Sequence, residues 1–197
     1  MEIFVKSFEE LDINELYKIL KLRVDVFVVE QACPYPEIDG IDKDAFHIFG
    51  IKDREIAAYA RIYKENEEIH LGRVIAKERR KGYGTRVLKA AIKAAEKFYD
   101  AKKIHIEAQT YARKFYEKLG FVKISEPFLL DGIEHIKMVL DLNSYKNNKL
   151  ADNIFPDFQG TSKHEMKKLN DKVLAKEEAE PVDIALTKIW DKINNKN

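Results

Sequence analysis

The stretch from Val74 to Thr85, VIAKERRKGYGT, constrains the fold most. It begins as a strand, passes through a basic turn with two glycines, and enters a helix without a further break. Val87, Leu88, Ala91, Ile92, Ala95 and Phe98 put the apolar stripe of that helix on one face. Gly82 and Gly84 remove side chains where the backbone must turn tightly and come close to a ligand. The free N–H groups of the helix start favour an anion there, and Arg79, Arg80 and Lys81 add formal positive charge. In outline this is a phosphate or pyrophosphate cradle, with a solvated basic turn as the plain alternative. It is not a P-loop, because Gly-Lys-Ser/Thr is missing. It is not a Rossmann fingerprint either, because there is no third glycine.

The surrounding pattern gives a mixed α/β domain. Residues 1–7 read as a strand. Asp12 and Glu15 form an acidic capping pair ahead of a helix carrying Leu16, Ile19, Leu20, Val24 and Phe27, which fades near Glu30. Pro34, Pro36 and Gly40 mark an ordered loop over 31–43. Three strands follow (46–52, 55–64 and 68–76), joined by short polar turns as in a β-meander. After the long helix come a strand at 103–108, a short helix at 111–119 stopped by Gly120, and strands at 121–129 and 133–142. The last two meet across Asp131-Gly132, a strong hairpin signal. The order is β-α-loop-β-β-β-α-β-α-β-β. This places the domain at 1–142, a linker rich in asparagine at 143–160, and a helical C-terminal extension at 161–197. The stripe Leu186, Ile189, Trp190 and Ile193 must bury against the core or a second subunit, so a homodimer is one expected state.

Charge and cysteine content exclude several classes. Of 197 residues, 35 are Lys or Arg and 34 are Asp or Glu, a balance that disfavours a dedicated nucleic-acid-binding domain. The one cysteine, Cys33, rules out an intrachain disulfide framework and reads as a pocket or core thiol. No histidine pair has the i, i+4 spacing of a helical zinc site, so no metal is expected. No apolar run reaches the roughly 20 residues of a membrane span. The N-terminus lacks the pattern of a signal peptide. The expectation is a cytoplasmic protein with no membrane partner.

Arg79-x-x-Gly82-x-Gly84, between a strand and a helix, resembles the acetyl-CoA pyrophosphate signature of the Gcn5-related N-acetyltransferases (GNAT). Ala112-x-x-x-Tyr116-Glu-Lys-Leu-Gly120-Phe121 resembles the second helix and following strand of that family. The run from Arg23 through Phe27, Glu30, Gln31, Cys33, Pro34, Tyr35, Ile38 and Asp39 to Asp42 is similar to the ElaA-like branch. So are Gly72-Arg73-Val74, Ala108-Gln109 and Asp131-Gly132-Ile133-x-His135-Ile136-x-Met138. The resemblance covers residues 1 to about 142.

The resemblance implies a mixed, mostly antiparallel sheet split between strands 4 and 5, with acetyl-CoA lying in the V. Backbone near Val74 and Ala76 would bond the pantetheine arm. Arg79 and the amides of Arg80, Lys81, Gly82, Tyr83, Gly84 and Thr85 would hold the pyrophosphate. Gln109 stands where the family often has Asn. Tyr116 takes the position of the family's thiolate-protonating tyrosine. The base falls to His70, at a position where many relatives have Glu, or to Glu107 acting through water. Glu30, Tyr35, Asp39, Asp42 and His47 lie in or flank the helix-loop that usually forms the acceptor pocket, and His135, on a late strand beside a turn, would line the same pocket. The implied activity is direct acetyl transfer to a primary amine of a small molecule or peptide. The alternative is a non-catalytic acyl-CoA-binding module.

Overall fold

The computed structural model describes residues 1–147 and the pair 159–160. They belong to one compact unit that runs from Met1 to Thr161. Strand β1 (Glu2–Ser7) leads to α1 (Ile13–Arg23). The Asp12 carboxylate caps α1, accepting from the N–H groups of Asn14 (2.8 Å) and Glu15 (2.9 Å). Glu15 reaches back to the Asp12 N–H at 3.0 Å, completing the expected capping box. The helix continues as a wider π-type turn over Val24–Glu30, a form that clusters at functional sites.

Strands β2 (Phe46–Lys52), β3 (Glu55–Glu65) and β4 (Glu68–Ala76) form the meander. Helix α2 (Tyr83–Tyr99) crosses over to β5 (Lys103–Gln109). Helix α3 (Arg113–Glu117), β6 (Val122–Lys123), β7 (Phe128–Leu130), β8 (Ile133–Asp141), α4 (Leu142–Asn147) and β9 (Gln159–Gly160) follow. The sheet order is β6-β8-β5-β4-β3-β2-β1-β9, with β7 also on β8. All pairs are antiparallel except β4–β5 and β1–β9.

The alternation of β2 places one helix on each face. Phe46 stacks on Phe98 of α2 at 4.6 Å, whereas Phe49 packs with Ile19 and Leu22 of α1, Ile56, Tyr59 and Ile75. Full burial of each such side chain contributes roughly 1.5–3 kcal/mol. Among the described residues no helix is long and apolar enough to cross a membrane.

Two irregularities of the sheet position the site. Between β3 and β4, Arg61 pairs with Gly72 but Tyr59 pairs with Ile75, so β4 carries one extra residue. Arg73 sits in this bulge with φ 54°, and a bulged strand bends. Between β4 and β5 the pairing is limited to His70 with His105. From Gly72 to Ala76 the β5-facing edge of β4 has no strand partner. The sheet splits there, as the family resemblance implies.

Toward the C-terminus the structure refines the sequence reading. The strand expected over 121–129 is two short pieces, because Lys123 faces Met138 while Phe128 faces His135, leaving two extra residues between them. Pro127 cannot donate to the ladder, and Ser125 Oγ takes the Lys137 N–H at 2.8 Å instead. Leu142–Asn147, at the start of the stretch read as linker, forms α4 with Leu142 and Tyr145 buried. The helical extension expected at 161–197 lies outside the described residues.

Candidate active site

The split opens a groove of about 1420 Å³ between β4 and β5. The seven residues of β4 from His70 to Ala76, six steps along the strand, carry it roughly 20 Å from its closed end to its mouth. At the mouth stand Lys77, Arg79, Arg80, Gly82, Gly84 and Thr85. Gly82 caps α2 in the left-handed region at φ 76°, and the space its Cβ would take is open to 4 Å. A Cβ on Gly84 would lie 3.6 Å from Ala76 Cβ and 3.6 Å from Phe115 Cζ. The α2 hydrogen bonds begin with Arg86 N–H to Gly82 carbonyl at 3.1 Å. The amides of Tyr83, Gly84 and Thr85 therefore have no intrahelical acceptor. A concave helix start with glycines at 82 and 84 and basic neighbours fits the pyrophosphate of a CoA thioester. Of the residues expected there, Val74, Ala76, Arg79, Arg80, Gly82, Tyr83, Gly84, Thr85 and Gln109 line the groove, and Lys81 is exposed on the same loop without lining it. Arg79 donates to Glu30 at 2.7 Å, joining the loop to the end of the π-type turn.

Strand register assembles the inner end. Tyr63 pairs with His70, His70 with His105, and Gln109 with His135, so these side chains share one face. Glu107 stands two residues before Gln109 and falls on the same face. The His70 ring stacks on Tyr63 at 5.4 Å and stands 5.8 Å from the His105 ring. Glu68 approaches both imidazoles, at 3.7 Å and 3.9 Å. Glu107 is 3.6 Å from Lys137 Nζ. Across the groove, Tyr116 on α3 is held edge-on by Phe115 (5.2 Å) and Phe121 (5.8 Å). Desolvation pushes its phenol pKa up, so the hydroxyl stays protonated at neutral pH. The Gln109 amide donates to Gln31 Oε1 at 3.0 Å, and the Cys33 thiol donates to the Asp131 carbonyl at 3.3 Å. Each contact ties the 31–44 loop to the far wall.

That loop is fastened by a cluster of ions, two of which, Asp39 and Asp42, the sequence reading assigns to the acceptor together with the adjoining His47. Asp42 and His47 are corrections: both are buried behind the groove wall rather than lining it. Arg23, with no exposed surface, donates to Glu37 Oε1 (2.5 Å), Asp42 Oδ1 (2.5 Å) and the Glu37 carbonyl (3.0 Å). Arg61 donates to Asp42 (2.7 Å) and, through both terminal nitrogens, to Asp39 (2.6 and 2.9 Å). Arg73 donates to Glu37 (2.6 Å) and Asp39 (3.1 Å). Asp39 too is committed to arginines and does not line the groove.

Burial alone would raise the Asp39 and Asp42 carboxyls, but the guanidinium hydrogen bonds and charges hold both below the usual range. His47 Nε2–H donates to the Asp42 carbonyl (3.0 Å), and Nδ1 accepts from the Tyr59 hydroxyl (2.8 Å). Burial pushes the His47 pKa down to about 4, so the ring is neutral. Of the expected acceptor residues, Glu30, Tyr35 and His135 do line the groove. Tyr35 is turned to Glu37 by a short hydrogen bond, and His135 Nδ1–H donates to the Ile133 carbonyl at 2.8 Å. Glu37 and Tyr63 escaped the sequence reading. The available signal was an arginine at each of two core-facing positions, Arg23 and Arg61, which demanded buried acids.

Residues 18–142 match the family model described as an acetyltransferase (GNAT) domain. The chain belongs to this family of acyltransferases, whose members use an acyl-CoA co-substrate. Protein ElaA of Escherichia coli is 38% identical over 140 residues, spanning 68% of this chain and 92% of ElaA. A UPF0039 protein of Schizosaccharomyces pombe is 39% identical over 147 residues, spanning 72% of this chain and 98% of that protein. The crystal structure of E. coli ElaA superposes with a TM-score of 0.68 at 37% identity, covering 72% of this chain and 100% of that one. An acyl-CoA N-acyltransferase from Pseudomonas aeruginosa gives a TM-score of 0.67 at 34% identity, covering 71% and 99%.

Proposed function

We propose that the protein moves an acetyl group from acetyl-CoA directly to a primary amine of a small molecule or peptide. The observation that carries this reading is the bare β4 edge, Gly72 to Ala76, running into a helix start with glycines at 82 and 84 and basic neighbours. Backbone groups at Val74 and Ala76 bind the pantetheine amides as an added strand would. The amides of Arg80 to Thr85 hold the pyrophosphate. The amine nitrogen attacks the thioester carbonyl, the C–N bond forms, and the C–S bond breaks as the tetrahedral intermediate collapses. His70 takes the amine proton, with Glu107 acting through water as the other candidate. Tyr116 gives its proton to the departing thiolate.

Glu30, Tyr35 and His135 face the acceptor. Charge points to the kind of amine. Away from the basic mouth with Lys77, Arg79 and Arg80, the groove is lined by Glu65, Asp131 and Glu107, the last with Lys137 at 3.6 Å, while the guanidinium of Arg73 is already held by Glu37 and Asp39. Such a surface favours an acceptor with net positive charge.

Calorimetry with CoA and a thiol-release screen over amines, using acetyl-CoA, test the reading. Binding with release on a cationic amine supports it. Binding without release for any amine supports a non-catalytic acyl-CoA-binding module. Absence of CoA binding overturns both.

A further inference from the structure

Three ionisable side chains meet at the closed end of the split. β4 and β5 pair there through His70 and His105. Glu68 stands two residues before His70 on β4, so all three project from one face of the sheet. Glu68 Oε2 lies 3.7 Å from His70 Nε2, and Glu68 Oε1 lies 3.9 Å from His105 Nε2. One carboxylate thus spans the same nitrogen of two imidazoles whose centroids are 5.8 Å apart. His70 lines the groove, whereas Glu68 and His105 do not. The carboxylate therefore approaches His70 from outside the groove.

Tyr63 stacks on the His70 ring at 5.4 Å and 20°, and His105 stands on its other side, so the ring is held between neighbouring strands. With Nε2 turned to Glu68, Nδ1 is the nitrogen left to serve the groove. A carboxylate at Nε2 favours the tautomer with its proton there, which leaves the lone pair on Nδ1. It also stabilises the imidazolium that forms when a proton arrives. Both separations exceed a hydrogen bond, and contacts of this kind tighten when substrate binds. The sheet itself gives no reason for an acid at this position. Glu65 stands directly across the ladder from Glu68, and like charges so opposed destabilise a sheet. Among the described residues the ion-pair contacts of Glu68 are the two imidazoles.

We propose that Glu68 is the positioning residue of His70, its second oxygen steadied by His105. The proposal rests on the acetyl-transfer reading above, with His70 as base. As the C–N bond forms, the amine N–H bond breaks and the proton is bound by His70 Nδ1. The Nε2 proton stays on the ring against Glu68, and the added proton leaves to water after transfer.

The test joins nitrogen-15 NMR of the full chain, its histidines labelled, to kinetics with acetyl-CoA and the cationic amine that releases most thiol. At about pH 8, where an imidazole is neutral, His70 of the wild type is expected to carry its proton on Nε2. In Glu68→Gln, kcat should fall roughly threefold to thirtyfold with KM for acetyl-CoA unchanged. That loss is far below the effect of a buried triad carboxylate, because Glu68 is 55% exposed. Stability of Glu68→Gln in urea should equal or exceed that of the wild type, since the clash with Glu65 is relieved. Glu68→Asp, which keeps the charge, should recover part of the rate, and His105→Gln should lower kcat less than Glu68→Gln. A proton on Nδ1 of neutral His70, or unchanged kcat in Glu68→Gln, overturns the assignment and leaves the transfer reading standing. So does a rate loss matched by a loss of stability, which would make Glu68 a structural residue. A larger loss in His105→Gln than in Glu68→Gln overturns it as well. A chain that binds CoA but releases thiol with no amine overturns the transfer reading, and the role of Glu68 with it.

Discussion

His47 should make this protein lose stability on mild acidification, in a range where carboxylates do not yet respond. Its ring is buried and neutral, with Nε2–H on the Asp42 carbonyl and Nδ1 taking the Tyr59 hydroxyl. Protonation would place a second donor against that hydroxyl and a charge beside Arg23 and Arg61, and burial opposes it most. The folded pKa is about 4, and in the unfolded chain an imidazole titrates near 6.5. Between these values the unfolded state binds more protons, so stability rises with pH across the window. His47 therefore contributes fully above about pH 6.5, and the contribution fades as pH falls toward 4. The separation of roughly 2.5 units corresponds to about 3 kcal/mol at most, with a steepest slope near 1.4 kcal/mol per pH unit. The lowered carboxyls of Asp39 and Asp42 act in the same direction, but only as pH falls below the ordinary carboxylate value of about 4. Urea unfolding at pH steps from 7.5 to 4.5, by wild type and His47→Gln, isolates the imidazole. Glutamine can keep one donor and one acceptor, so the variant should show a flatter profile. Parallel profiles for the two proteins would refute the buried, neutral imidazole.

Arg23→Met leaves Glu37 and Asp42 short of a buried partner and should destabilise by about 3–5 kcal/mol in urea titrations. Adding Glu37→Gln, which restores charge balance, should recover part of that, and strict additivity of the two would deny the coupling. Gly84→Val extends methyls beyond a Cβ already 3.6 Å from Ala76 and Phe115, and should weaken CoA binding roughly tenfold or more with the fold retained. Unchanged affinity in calorimetry would remove Gly84 from the cradle. Tyr116→Phe keeps the ring between Phe115 and Phe121 and should lower kcat roughly 10²-fold with little change in KM for acetyl-CoA. Equal turnover, where chemistry limits the rate, would assign the proton to another group.

The cradle was legible because its physics is local. A strand, two glycines, three basic residues and a helix start are contiguous from Val74 to Thr85, and local spacing fixes what they can do. The hairpin turn at Asp131-Gly132 was readable for the same reason, both residues lying at positive φ. The loop was not readable in this way. Asp39, Asp42 and His47 look like solvent-facing acids and an imidazole in a stretch with prolines. The partners of the two carboxylates, Arg23, Arg61 and Arg73, stand 19 to 34 residues away in the sequence, and His47 is held by the Asp42 carbonyl and the Tyr59 hydroxyl. Charge pairing across such separations leaves no periodic trace. The breaks in 121–129 also depended on something nonlocal, since the Lys137 N–H chose between a strand partner and Ser125 Oγ.

Arg73 joins the sheet split to the loop, and this makes a fifth outcome calculable. Its φ of 54° places a non-glycine residue in the left-handed region, at a strain of roughly 1–2 kcal/mol. The conformation persists because the guanidinium is over-determined. It bonds Glu37 and Asp39 and lies 5.8 Å from the Phe27 ring centroid and 5.6 Å from that of Tyr35. One side chain thus holds the bulge that bends β4 from β5 and holds the wall that faces the bare edge. Two substitutions separate these roles. Arg73→Gly removes the grip and the strain together, so the bulge survives and the loop loosens. Arg73→Ala removes the grip and keeps the strain. Both should be less stable than wild type, with the alanine variant lower than the glycine variant by about 1 kcal/mol. CoA affinity should fall less in Arg73→Gly than in Arg73→Ala, because the β4 edge keeps its direction. Urea titration and CoA calorimetry on the pair decide it: an alanine variant as stable as the glycine variant, and as good a CoA binder, would mean that the bulge does not depend on the strained residue.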